Sequence, residues 1–221
     1  MKSAPAPDPA FQRRRRVHDA VRELMAEQGF RVSMDAVAAR AGCSKQTLYS
    51  HFGSKQELMH SVMHDHLDIA TARLEGPDSD PRTVLLAFAM EHLQRLSDPH
   101  VITTCQLLSA EAAQYPDEAR ALYREGVDTL QQRLATWLDA AKRRGQLEHD
   151  DPHGAAELLL GMIVGLDLER KRFAVPHRDN DAKRLRWAEF AVDSFMKAFA
   201  SDLHQAPSAS RIAHSLPVSK S

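Results

Sequence analysis

The chain has 221 residues, 43% hydrophobic and 27% charged, enough for one or two domains with a real core and unlike a disordered chain. Two cysteines, Cys43 and Cys105, exclude a disulfide framework and suit a reducing compartment, while the longest strongly apolar run, residues 158–166, is far short of the roughly 18–20 residues of a spanning helix. Net charge is −1 but unevenly spread: residues 1–60 carry ten Lys/Arg against six Asp/Glu and the rest carry 19 against 24, a basic head on an acidic body.

Residues 1–10, MKSAPAPDPA, lack an apolar h-region and read as a disordered polar tail. Val17, Ala20, Val21, Leu24 and Met25 then fall at i, i+3, i+4, i+7 and i+8, which predicts a helix over 11–28 with Gly29 as its stop. Arg13, Arg14, Arg15 and Arg16 stand at its start, where cations oppose the macrodipole and cost helix stability. Such a row suits contact with phosphates or a minor groove. Ser33 can cap a helix over 34–41, whose Val37, Ala38 and Ala41 make a narrow inner face, and Gly42 ends it. Ser44 caps the next helix, with Leu48 and Phe52 turned to the core, and Ser54 caps a longer one from Lys55 to about Leu74. Two brief helices joined by a glycine-containing turn form a helix-turn-helix, whose second helix can enter a DNA major groove.

Beyond Lys55 the helical spacing continues. Leu58, Val62, Met63, Leu67, Ala70 and Leu74 give a connector with two partly apolar faces, and the run over 76–81 marks a break. Leu85, Phe88, Ala89, His92, Leu93 and Leu96 form a core face; Asp98-Pro99 starts a further helix through Ala112, and Tyr115-Pro116 starts the longest, in register to Gly145. Asp151-Pro152 opens a helix that is apolar nearly all round between Leu158 and Leu168, so it must be covered on every side. The last helix spans about 179–202, and residues 204–221, rich in Ser, Ala and Pro, read as a second disordered tail. The expected fold is all-α with about nine helices. A three-helix helix-turn-helix domain fills 11–60, and a C-terminal helical bundle fills 61–203.

The recognition helix lays its first residues against base edges, here Lys45, Gln46 and Thr47. Glutamine suits adenine, lysine suits guanine O6/N7, and a threonine methyl can touch thymine. Tyr49, His51 and Lys55, with Ser33 and Ser44 and the amides of their helices, are better placed for phosphates. Cys43 is expected to be a small packing residue.

The set Ser33-Met34-Asp35-Ala36-Val37-Ala38, Ala41-Gly42, Ser44-Lys45, Thr47-Leu48-Tyr49, His51-Phe52, Ser54-Lys55 and Leu58 resembles the TetR (tetracycline-repressor) family of transcriptional regulators. The match is specific over about 11–60 and general in the body. Cys43 stands where an aliphatic residue is usual and Gln46 where a small one is common.

The resemblance implies a homodimer, joined through the last two helices at about 152–202. It implies a double-stranded, two-fold symmetric operator, and a body that encloses a small-molecule effector and swings the connector. The expected lining residues are Phe88, His92, Cys105, Leu108, Tyr123, Trp137 and Met162, which mix apolar bulk with a few polar tips. The scarcity of buried charge favours an uncharged or hydrophobic effector. The expected protein is a cytoplasmic repressor without membrane anchor, cofactor or metal. His60 and His64 share a helix face, but no Glu follows His60 as the zincin pattern requires. Two alternatives stay open. One is a regulator with a solid body, controlled by a protein or constitutive. The other is a metal-dependent helical enzyme, for which no Ser-His-Asp order, phosphate loop or paired-carboxylate motif speaks.

Overall fold

The computed structural model describes residues 9–74, 80–175 and 177–201; most of the expected 76–81 break, nearly all of the first expected tail and all of the second lie outside them. Among the described residues the chain is all-α. The helices are α1 (Pro9–Gln28), α2 (Met34–Ala41), α3 (Lys45–Phe52), α4 (Lys55–Thr71), α5 (Pro81–Arg95) and α6 (Pro99–Glu111), followed by α7 (Pro116–Tyr123), α8 (Thr129–Arg143), α9 (Pro152–Val164), α10 (Asp167–Arg172) and α11 (Asp181–Phe199). α1 begins at Pro9, so the last two residues of the first expected tail are already helical.

The starts of these helices follow from local chemistry. The hydroxyls of Ser33, Ser44 and Ser54 accept the free N–H groups of Ala36, Thr47 and Glu57 at 3.2, 3.0 and 3.1 Å. Further on, Asp80, Asp98 and Asp151 cap α5, α6 and α9, and each precedes a proline whose missing N–H costs nothing in the first turn. Gly42 closes α2 in the left-handed conformation (φ 67°, ψ 39°), a position that favours glycine because a Cβ there is strained.

Two expectations for the body need correction. The long helix predicted from Pro116 to Gly145 is interrupted by a π-helical turn over Arg124–Asp128, where Gly126 lies against Met63 of α4. The extra residue of a π turn moves the apolar face by one position, and Tyr123 and Val127, which an uninterrupted helix would place on that face, are exposed. The helix predicted through Leu168 ends at Val164, and Gly165 turns the chain into α10. What fixes that turn is tertiary. The Asp167 carboxylate is buried against Arg178, whose guanidinium lies 3.8 Å from the ring centre of Trp187 on α11.

The core falls into two clusters. The first gathers Val17, Val21 and Leu24 of α1, Val37 and Ala38 of α2, Leu48 of α3, and Leu58 and Val62 of α4. The second gathers Leu85 and Phe88 of α5, Leu134 and Leu138 of α8, Leu159 and Ile163 of α9, and Val192 and Phe195 of α11. α4 serves both, since its later residues Leu67 and Ala70 pack in the second cluster. Leu108 of α6 and the half-buried Tyr115 beyond it pack with the first cluster, so the body reaches into the N-terminal core.

Candidate nucleic-acid interface

α3 presents Lys45, Gln46 and Thr47 in its first turn, two of them exposed and Thr47 half-buried. Leu48 behind them is almost completely buried, so hydrophobic burial on one side of α3 sets which side faces out. Within this turn the groups are already ordered. The Thr47 hydroxyl lies 2.8 Å from that of Ser44, and the Lys45 ammonium sits 2.9 Å from Asp35 on α2. That hydrogen bond, with the charge of Asp35, raises the Lys45 pKa above its ordinary value. Gln46 points to solvent, and Tyr49 is 43% exposed.

The arginine row lies beside α3 and α4. Arg13 Nη1 is 3.1 Å from His51 Nε2 and Arg14 Nη2 donates to Ser61 Oγ at 3.2 Å, while Arg15 lies 4.0 Å from Asp19; all four arginines of the row are exposed. The structure therefore gathers Arg13 and His51, residues 38 positions apart, at the C-terminal end of α3. Lys55 is placed differently from the other expected phosphate contacts. Its ammonium is half-buried and donates to the Phe30 carbonyl at 2.9 Å, fastening the α1–α2 connection to the start of α4. Cys43 is half-buried against the N-terminal core.

Three residues that sequence reasoning passed over hold this unit together. Arg40 of α2 donates to Glu27 of α1 through both terminal nitrogens at 3.0 and 2.8 Å and to Glu23 at 2.9 Å, a forked arrangement that fixes the angle between α1 and α2. His18, 1% exposed, sits 3.1 Å from Ser61 and 3.4 Å from Asp65 of α4, and burial lowers its pKa despite Asp65. Arg22 reaches the same Asp65 at 3.2 Å. Charged side chains at i, i+4 spacing within one helix would have been readable, but these partners lie on different helices.

A basic, capped helix-turn-helix of this kind has relatives. The family model described as bacterial regulatory proteins, tetR family, matches residues 18–62, and that of the AefR-like transcriptional repressor C-terminal domain matches residues 83–201, more than half of the chain. The chain belongs to the TetR family. It is a DNA-binding transcriptional regulator. FasR of Mycolicibacterium smegmatis, a transcriptional activator, is 41% identical over 61 residues, which are 27% of this chain and 28% of FasR. YezE of Bacillus subtilis, an HTH-type transcriptional regulator, is 27% identical over 143 residues, 61% of this chain and 72% of YezE. Among solved structures, the flavonoid-responsive regulator FrrA is 28% identical with a TM-score of 0.65, covering 87% of this chain and 99% of FrrA. A regulator from Mesorhizobium loti, 24% identical, shares the fold with a TM-score of 0.67 over 87% of this chain and 99% of its own.

In this TetR-family body four of the seven expected lining residues gather at or beside one core and the other three lie apart from it. Phe88 and Trp137 are buried in the body core, with His92 stacked on Phe88 at 5.9 Å and Met162 half-buried beside that core. Leu108 belongs to the N-terminal core, and Cys105 and Tyr123 are exposed. Two open grooves stand out. One runs along α7 from the turn after α6 and includes Ala112, Pro116, Ala119, Arg120 and Tyr123; the other lies on α9 between Gly154, Leu158, Gly161 and Met162. The buried Trp137 Nε1 has no hydrogen-bond partner, a donor left open inside the body. His60 lies 3.6 Å from Glu125, and His64 lies 3.7 Å from Asp68 and 3.3 Å from Arg133, so both rings have partners of their own. No helix among the described residues is long and apolar enough to cross a membrane.

Proposed function

We propose that this regulator is a repressor that binds a pseudo-palindromic operator as a homodimer and is released by a small apolar or aromatic effector. Lys45, Gln46 and Thr47 read bases, and Arg13 to Arg16, Tyr49 and His51 hold phosphates. The observation that carries the DNA-reading part is the first turn of α3: Lys45 and Gln46 face outward and Thr47 is held by Ser44, over a helix whose opposite side is locked by Leu48. With its hydroxyl turned to Ser44, what Thr47 offers a base is its methyl group. The division of labour is N-terminal reading over 11–60 and dimerisation with sensing over 61–203.

Dimerisation is supported by what α9 to α11 leave uncovered. Leu158, Leu166, Phe173, Val175 and Phe190, large apolar side chains in the stretch the dimer would use, are between 48% and 73% exposed in the single chain. Repression and effector release are supported by the description of the body's family model and by the flavonoid response in FrrA's name. The second reading, a regulator with a solid body, is favoured by Phe88, Leu134, Leu138 and Phe195, which are completely buried in the body core.

Selection of bound genomic fragments by the purified protein, with and without a cell extract, tests the proposal. The expected result is an inverted repeat with half-sites about 10 base pairs apart or a multiple of that, lost when the extract supplies the effector. Enrichment of a lone half-site overturns the dimeric reading, and binding unaffected by any extract favours the solid body.

A further inference from the structure

The peptide between α1 and α2 is gripped from two sides. On one side the Lys55 ammonium at the start of α4 takes the Phe30 carbonyl. On the other, Glu111, the last residue of α6, is only 12% exposed; its Oε2 accepts the Phe30 N–H at 3.1 Å and its Oε1 meets Arg31 at 3.1 Å. The fit is close. Gly29 has φ +58°, and a Cβ there would lie 2.1 Å from Glu111 Oε2 and 3.1 Å from Leu107 of α6. The Phe30 ring leans on Tyr115 at 5.8 Å, and three residues after Phe30 stands Ser33, which caps α2.

We propose that Glu111 is a positioning residue through which the body sets the helix-turn-helix directly, by a route separate from the connector α4. A carboxylate shared between a backbone N–H and a guanidinium has two strong, directional bonds, so any displacement of the end of α6 drags the α1–α2 connection with it. That connection leads straight into the Ser33 cap and hence into α2 and α3. α4 then sets the distance of the unit from the body, and Glu111 sets its tilt. The idea rests on the proposed DNA-reading role of α3, and linkage makes it testable without knowing the effector. If α6 biases operator binding, operator binding must alter α6.

The experiment is hydrogen exchange on the full-length protein, free and saturated with the selected operator fragment. In the wild type, operator slows exchange both in α3 and in residues 107–115, at the end of α6 and outside the helix-turn-helix. Glu111→Ala abolishes the operator-induced change in 107–115, keeps it in α3, and weakens operator binding about three- to tenfold. Glu111→Gln, which retains an acceptor for the Phe30 N–H, preserves most of the remote change. A purely structural role would raise exchange in the free protein yet leave the operator-induced difference intact. Remote protection that is absent in the wild type, or unchanged in Glu111→Ala, overturns the proposal. Should the alanine variant fail to fold, Glu111→Asp, with its carboxylate withdrawn by one methylene, is read by the same criterion. Loss of α3 protection in the wild type would instead overturn the DNA-reading role itself.

Discussion

Two histidines at the junction of α4 and α5 should make the protein acid-labile well above the pH at which carboxylates titrate. His66 Nδ1 lies 3.2 Å from Arg95 Nη1, and since a guanidinium only donates, that ring nitrogen must be the acceptor and the imidazole neutral. Burial, reinforced by Arg95 and Arg22 against a weaker pull from Asp65, pushes the His66 pKa down to about 4. His92 is pushed to about 4 chiefly by burial, with His66 and Arg95 adding to it, and Glu91 is engaged by Arg95 at 3.1 Å. An unfolded chain takes up these protons at about pH 6.5 and the folded chain resists until about pH 4, so stability is complete above 6.5 and drains away as the pH falls between those values. For one such histidine the loss between pH 7.5 and pH 5 is about 2 kcal/mol. The pair repel each other, so their shifts are partly shared and the joint loss should lie between about 2 and 4 kcal/mol. Urea melts at pH 7.5, 6.5, 5.5 and 5.0 measure it, at one fixed protein concentration because the stability of the proposed dimer would depend on concentration. The carboxylates of Glu27 and Asp179, lowered by Arg40 and Lys183, contribute above the ordinary carboxylate range and lose their share only at lower pH, outside this window. Replacing both histidines by glutamine should remove most of the slope down to pH 5, leaving the share of His18, whose pKa burial also lowers. A double variant that keeps the wild-type slope refutes the reasoning.

Changing Arg13 to Arg16 to alanine should weaken binding to all DNA sequences alike and reduce the slope of log K against log salt by about one to four units, at about 0.9 for each phosphate no longer neutralised; an unchanged slope removes the arm from the interface. Gln46→Ala should relax base choice at one position of each half-site by about 1–3 kcal/mol in a competition assay across all four bases. A uniform loss across bases would move Gln46 to the backbone. Phe190→Glu, at a residue 63% exposed in the single chain, should turn the proposed dimer into a monomer in sedimentation and lower operator affinity, and a dimer undisturbed by it would place the interface elsewhere.

What the sequence showed and what it hid divide by range. The caps at Ser33, Ser44 and Ser54 and the helix starts at Asp98-Pro99 and Asp151-Pro152 were legible because each bond is made within three residues. The break at Gly165 was not, because the Asp167–Arg178 pair and Trp187 that fix it come from separate elements. The lining residues suffered from a different ambiguity: an apolar residue with a polar tip suits a pocket and a packed core equally well. Thus Leu108, chosen as a pocket wall, proved to be part of the N-terminal core. Arg40, His18 and Glu111 were silent for the same reason of range, since a charged residue on a helix reads as solvated until its partner on another helix is known.

The place of Leu108 also bears on how such a protein can be cut and recombined. Residues 18–62 match a family model as a unit, which invites their transplantation onto another sensor, or their expression alone. Yet that unit closes its core with a leucine that arrives from α6, supported by Tyr115, Ala119 and Leu122 from beyond it. Excised, it would present a bare apolar socket to water. Grafted, it would need a host whose α6 carries a side chain of the same volume at the same height, as well as a carboxylate to meet Phe30. The workable seam for a chimera therefore lies across the chain, with the end of α6 travelling alongside the helix-turn-helix.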